Sequence, residues 1–238
     1  KNFYESDFYG YNIYRSTAIY IESFFGGSGD YYSAGNNNNW EPGVPEILPF
    51  NISKSKYYWG TNINGNYNNN MLAYLFTKII PVPDVDTVYL IISHYYDIEE
   101  GFDGAIVECK EKNQNNWTLI SPIDGYPSTG YFPKSFSGKT RSNNFIETKF
   151  DITNFRNLDI TLRFVFASDN SVSSKGWYID SVKISTPDNK KIFYKLNTDT
   201  VYKKEYYSDT LVYNNSTINY YITSLDIFLN ESLPCSFA

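Results

Sequence analysis

The sequence predicts an all-β protein built as a two-sheet antiparallel β-sandwich of jelly-roll type. Apolar residues recur at every second position through most of the chain, as where Val88, Leu90 and Ile92 alternate with Tyr89, Ile91 and Ser93. That period sends alternate side chains to opposite faces of a strand. No window keeps an i, i+3, i+4, i+7 apolar stripe for three turns, so helix is not expected. Tyr, Phe and Trp make up 19% of the 238 residues and charged residues another 19%. Rings and β-branched side chains at that density suit a pleated, half-buried surface.

In chain order, residues 1–39 are expected to form an extended aromatic segment. Phe3, Tyr4, Phe8, Tyr9, Tyr11 and Ile13 give it apolar surface with little charge, which suits an edge or donor strand lying on a sheet of its own chain or of a neighbouring copy. In the second case the contact would propagate into a filament. Residues 26–29, 36–39 and 62–70 are rich in Gly and Asn and are expected to be loops. The sandwich is expected over residues 40–186, with strands at 72–79, 88–92, 105–110, 117–120, 145–152, 160–167 and 177–185, each bounded by Gly, Asn, Asp or Pro. Residues 187–238 are expected to be a C-terminal β extension packing on the sandwich. It would hold a strand at 191–196 and two more, 218–222 and 225–229, whose alternation changes phase at Thr223–Ser224, as at a β-bulge.

Composition narrows the function. Twenty basic against 26 acidic side chains give a net charge of −6, which disfavours a nucleic-acid partner. One His, one Met and two Cys leave too few soft ligands for zinc, haem or iron–sulfur centres. No run approaches the roughly 18 apolar residues of a membrane span, so no transmembrane segment is expected. The chain begins at Lys1 rather than Met, which fits an exported chain whose leader has been removed, the preferred reading, or a sequence that simply starts at this point. Cys109 and Cys235 either close a long loop as a disulfide, worth roughly 4–5 kcal/mol, or remain unpaired with Cys109 buried. Asn51, Asn116, Asn214, Asn215 and Asn230 head Asn-x-Ser/Thr triplets, which are glycosylation acceptors in an exported chain.

Candidate sites follow from residue type and spacing. Asp97, Glu99, Glu100 and Asp103 place four carboxylates within seven residues. Such hard oxygens suit calcium, a solvated acidic loop is the plainer reading, and the spacing is not that of an EF-hand. Asp169, beside Asn170 and Ser171, suits the capping of a turn. Tyr31, Tyr32, Trp40, Tyr57, Tyr58 and Trp59 crowd a stretch poor in charge, where rings either stack on sugars and protein partners or fill the core. His94, the sole histidine, ends an apolar strand with no Gly-x-Ser-x-Gly elbow in the chain, so a packed core histidine is expected. No catalytic residue is assigned.

Several of these stretches together resemble a known family. They are residues 59–70 opening Trp-Gly-Thr-Asn, Tyr96-Asp-Ile-Glu-Glu-Gly-Phe-Asp-Gly104, Asn116-Trp-Thr118, Phe150-Asp-Ile-Thr-Asn-Phe155, Leu162-Arg-Phe-Val-Phe166, Ser168-Asp169 and Gly176-Trp-Tyr-Ile-Asp-Ser-Val182. In order and spacing, over residues 40–186, they resemble the MAM-like jelly-roll domains appended to secreted prokaryotic peptidases of the immune inhibitor A type and to other surface proteins. The resemblance implies a non-catalytic domain used for binding or architecture, often with a structural calcium. Asp180 matches the acidic position of the family's Gly-Trp-Tyr-Ile-Asp signature and becomes a calcium ligand by that analogy. Glu5 and Asp7, with Phe8, approximate the family's acidic opening motif. The expected function is an extracellular or cell-surface adhesion or assembly module whose partners are other copies of itself or surface proteins. A carbohydrate-binding accessory module of a secreted hydrolase is the alternative, and a glycosidase or peptidase comes third.

Overall fold

A computed structural model describes residues 8–16, 20–46, 56–141, 144–187, 193–195 and 220–232. Its strands, in chain order, are β1 (Phe8–Ser16), β2 (Ile21–Glu22), β3 (Tyr32–Asn36), β4 (Trp40–Gly43), β5 (Tyr58–Thr61), β6 (Leu72–Phe76), β7 (Ile80–Pro81) and β8 (Tyr89–Ile98). They continue with β9 (Gly104–Glu111), β10 (Thr118–Ile120), β11 (Gly138–Lys139), β12 (Ile146–Asp151), β13 (Asp159–Ala167), β14 (Gly176–Ser185), β15 (Phe193–Lys195) and β16 (Tyr220–Asp226). Helix among the described residues is confined to one 3-10 turn, Thr153–Phe155.

The chain forms two compact units. The larger, Tyr20–Asp188, is the sandwich. One sheet runs β10-β9-β13-β6-β3 with β7 also on β13, and the other runs β11-β8-β14-β5-β4 with β12 on β8 and β2 on β14. Their inner faces follow the period-two pattern. Leu75, Phe164 and Val107 form one buried rung of the first sheet, while Leu90 opposite Ile184 and Ile92 opposite Val182 line the second. Trp177 is fully buried, with Phe136, Phe164, Trp40 and His94 around its ring. The two-layer all-β architecture is the one the sequence predicts.

Residues 20–39 belong to this unit, because β2 and β3 pair into its two sheets; the sandwich therefore starts earlier than the expected boundary at residue 40. The expected strand 72–79 stops at Phe76. Thr77 interrupts it by accepting the Leu162 N–H on its own hydroxyl at 3.0 Å, and pairing resumes at Ile80.

The smaller unit holds β15, β1 and β16 in one antiparallel sheet. β1 is its central strand, so the aromatic segment is paired within its own chain: Tyr14 to Arg15 lie between Lys195 to Tyr194 on one side and Tyr221 to Tyr220 on the other. Phe3 and Tyr4 lie outside the described residues. β16 runs unbroken through Thr223–Ser224, and the irregularity falls instead on β1 between Phe8 and Gly10. Residues 227–229, expected as a strand, form a turn. The Asp226 carboxylate accepts N–H groups from Phe228 and Asn230 at 2.9 and 2.8 Å, Leu229 takes φ 60°, and Ile227, Phe228 and Leu229 face solvent.

Candidate functional site

Most of the aromatic residues marked as binding candidates are core. Tyr31, Trp40, Tyr58 and Trp59 are buried, Trp40 against Trp177, Tyr58 in a cluster with Tyr95 and Tyr178, and Trp59 with its indole N–H on the Ser28 carbonyl at 2.9 Å. Burial of their large apolar faces outweighs any use at a surface. Tyr32 is 58% and Tyr57 44% exposed.

Tyr32 begins a strip that the sequence reading missed. Register aligns Tyr32, Phe76, Arg163, Glu108 and Leu119 on one rung across five strands, on the face opposite the core rung of Leu75, Phe164 and Val107. Four steps of about 4.8 Å give the rung a length of about 19 Å. The Tyr32 and Phe76 rings stack with centroids 4.8 Å apart, and Tyr74 and Trp117 flank Phe76 at 5.9 and 5.8 Å. The Arg163 guanidinium lies over both the Tyr74 and Trp117 rings, at 4.8 and 4.4 Å, with its Nε–H on the Glu108 carboxylate at 2.5 Å. The Lys110 ammonium stands 5.1 Å from the Trp117 ring. Rings stacked or tilted against one another, with cations over the faces of Tyr74 and Trp117, make an amphipathic platform on this side of the sheet.

A second cluster lies on loops. Glu99, Asp103 and Asp169 each bring a carboxylate oxygen within 4.8 Å of the others. Asp103 is fully buried, accepting the Tyr67 hydroxyl at 2.6 Å and the Asp169 N–H at 2.7 Å. Burial raises its pKa, as does the Asp169 charge. Desolvation, followed by the charges of Asp103 and Asp169, raises that of Glu99, whose buried Oε2 has no hydrogen-bond partner. Three close carboxylates with one orphaned oxygen fit a hard cation such as calcium, supplying part of its six to eight oxygens. Asp169 also caps its turn, accepting the Ser171 N–H at 2.8 Å as its spacing predicted.

The other acids expected as ligands stand elsewhere. Asp180 is 2.5 Å from the Lys56 ammonium, so an internal cation already meets its charge. Asp97 pairs with Lys139 at 3.1 Å, Glu100 faces solvent, and Glu5 and Asp7 lie outside the described residues. Glu22, on β2 opposite Val182 of β14, is an acid that the sequence reading passed over. It is fully buried, accepts the Phe24 N–H at 2.8 Å and lies 3.7 Å from the Lys78 ammonium.

Loops around the acidic cluster are stitched by asparagine. Side-chain amides of Asn36 and Asn37 donate to the Asn70 carbonyl, Asn68 to Asn37, Asn69 to Asn170 and Asn66 to Ser173. Asn37, Asn62 and Asn70 take left-handed φ values of 48°, 67° and 53°, which asparagine adopts more readily than other non-glycine residues.

His94 is a core residue. Its Nδ1 accepts the Trp177 indole N–H at 2.8 Å, which leaves the proton on Nε2, 2.7 Å from the Thr148 hydroxyl. Burial lowers its pKa to about 3. Cys109 is a free, buried thiol whose pKa desolvation pushes up to about 12, while Cys235 lies outside the described residues. Of the sequons, Asn116 and Asn230 are exposed, and Asn51, Asn214 and Asn215 are outside the described residues. No helix among the described residues is long and apolar enough to cross a membrane.

No protein-family model matches the chain. Over 181 residues, 76% of its length, it is 30% identical to Bacillopeptidase F of Bacillus subtilis (strain 168), and it spans 12% of that relative's length. Kinship with a segment of a peptidase, expected from the motifs, is thus shown in the sequence itself. Among solved structures, the chain superposes on the K1 cleaved adhesin domain of Lys-gingipain from Porphyromonas gingivalis W83 with a TM-score of 0.43 and 15% identity, covering 71% of this chain and 98% of that one. It superposes on the C-terminal CBM6 of LamC from Zobellia galactanivorans with a TM-score of 0.38 and 13% identity, covering 71% and 99%.

Proposed function

We propose that the chain is a non-catalytic accessory module of an exported protein, and that it holds carbohydrate on the outer face of the six-stranded sheet. The observation that carries this is the aligned rung from Tyr32 to Leu119 with its stacked rings, planar guanidinium and carboxylate. Sugars present apolar C–H faces and hydroxyl rims, and such a platform offers a partner to each. The sole histidine, buried with both ring nitrogens engaged, argues against a hydrolytic triad. Glu99, Asp103 and Asp169 would hold a structural calcium that fixes the loops at the sandwich end. The strand-donating filament is not favoured, because β1 is already paired with β15 and β16. Retardation in native gels cast with a panel of polysaccharides tests the reading. At least one polymer should slow the chain, and Tyr32→Ala should abolish most of the retardation. Equal mobility of wild type and variant in every gel would refute it.

A further inference from the structure

The strip carries a charge pattern that an uncharged sugar chain would not need. Arg163 and Lys110 bring two cations to it and Glu108 one anion, within a chain whose net charge is −6. Arg163 spends its Nε–H on Glu108, and its four terminal N–H groups donate to no acceptor among the described residues. The ring faces of Tyr74 and Trp117 hold the guanidinium flat, so its fork is set before any ligand arrives. Lys110 has no carboxylate partner among the described residues. A fixed fork with unspent donors is suited to receiving a carboxylate through two parallel hydrogen bonds. The adjoining Tyr32–Phe76 stack supplies the apolar surface for a neighbouring sugar ring.

We infer that the ligand class of this strip is the acidic glycan, a polysaccharide whose sugar rings bear carboxylates that Arg163 and Lys110 receive. This rests on the reading of the strip as a glycan surface. Uronate polymers meet both halves of it, the rings lying on the aromatic residues and the carboxylates on the cations. Against the chain's overall negative charge, the attraction is local and falls as salt rises.

The test is titration calorimetry of the full chain with polygalacturonate and alginate, with carboxyl-reduced polygalacturonate and with polyglutamate. The acidic polysaccharides should bind at least about tenfold more tightly than the reduced polymer, and polyglutamate, which has the charge but no sugar faces, should bind far more weakly. Arg163→Lys should weaken uronate binding about tenfold and binding of the reduced polymer by a clearly smaller factor. Lys110→Gln should act in the same direction without disturbing the guanidinium stack, and an unchanged thermal melt certifies each variant as folded. Equal affinity for polygalacturonate and its reduced form would overturn the acidic specificity and leave the glycan surface standing. Polyglutamate binding as tightly as the uronates would reduce the effect to bare charge and overturn the inference. Binding of none of the polysaccharides would overturn both readings.

Discussion

The burial of His94 should make this protein less stable on mild acidification. The imidazole is fully buried between Trp177 and Thr148 and titrates near 3 in the fold, against 6.5 in an open chain. The unfolded state therefore binds the proton first, and stability falls as pH drops below about 6.5 until the folded-state pKa is reached. Between about pH 7.5 and pH 5 the loss is ~2 kcal/mol, approaching roughly 5 kcal/mol near pH 3. Asp103 and Glu99, whose pKa values are raised by burial, act with the opposite sign: their contribution is present at low pH and is lost as pH rises through their folded values. The contribution of His94 is therefore read as the difference between wild type and His94→Gln. Urea titrations followed by tryptophan fluorescence give both curves. The variant should start less stable, since it disturbs the hydrogen bonds to Trp177 and Thr148, and its stability should lack the ~2 kcal/mol slope between about pH 7.5 and pH 5. Parallel curves for the two proteins would refute the argument.

Other expectations are more local. Gly176 has φ 89°, and a Cβ there would stand 2.0 Å from the Thr61 hydroxyl that accepts the Trp177 N–H; Gly176→Ala should cost about 2–4 kcal/mol in urea unfolding. Calcium should raise the melting midpoint, a chelator should reverse the rise, and Asp103→Asn should lose the response; a midpoint indifferent to calcium would retire the site. The Cys109 peptide should resist thiol reagents in the native protein and label fully in denaturant, whereas rapid native labelling would contradict its burial.

The strands that alternate cleanly were legible: β13 and β14 lie where the period-two pattern puts them, while β8 runs on to Ile98, past the expected end at Ile92, and takes Asp97 out of the expected acidic loop. Direction was harder to read than position. In β6 the run Leu-Ala-Tyr-Leu-Phe is apolar on both faces, so nothing in it says that Leu75 turns inward while Tyr74 and Phe76 turn outward. The aromatic strip was hidden for that reason, and crowding in the first sixty residues drew attention to rings that prove to be core. Asp103 was recognisable as an acid on a loop. Its grouping with Asp169, 66 residues on, depends on the loop after β13 meeting the turn after β8, a contact that spacing along the chain does not reveal. The asparagine-rich loops were correctly placed, yet their cross-links to backbone carbonyls are invisible to composition.

The register of the smallest sheet bears on how the molecule responds to pulling. Phe8 lies opposite Asp226 and Arg15 opposite Tyr220, so the ends of β1 and β16 that lead outward along the chain sit side by side. Tension applied at both termini opens that pair like a zipper, rung by rung, instead of shearing every rung at once. The small sheet would yield at low load.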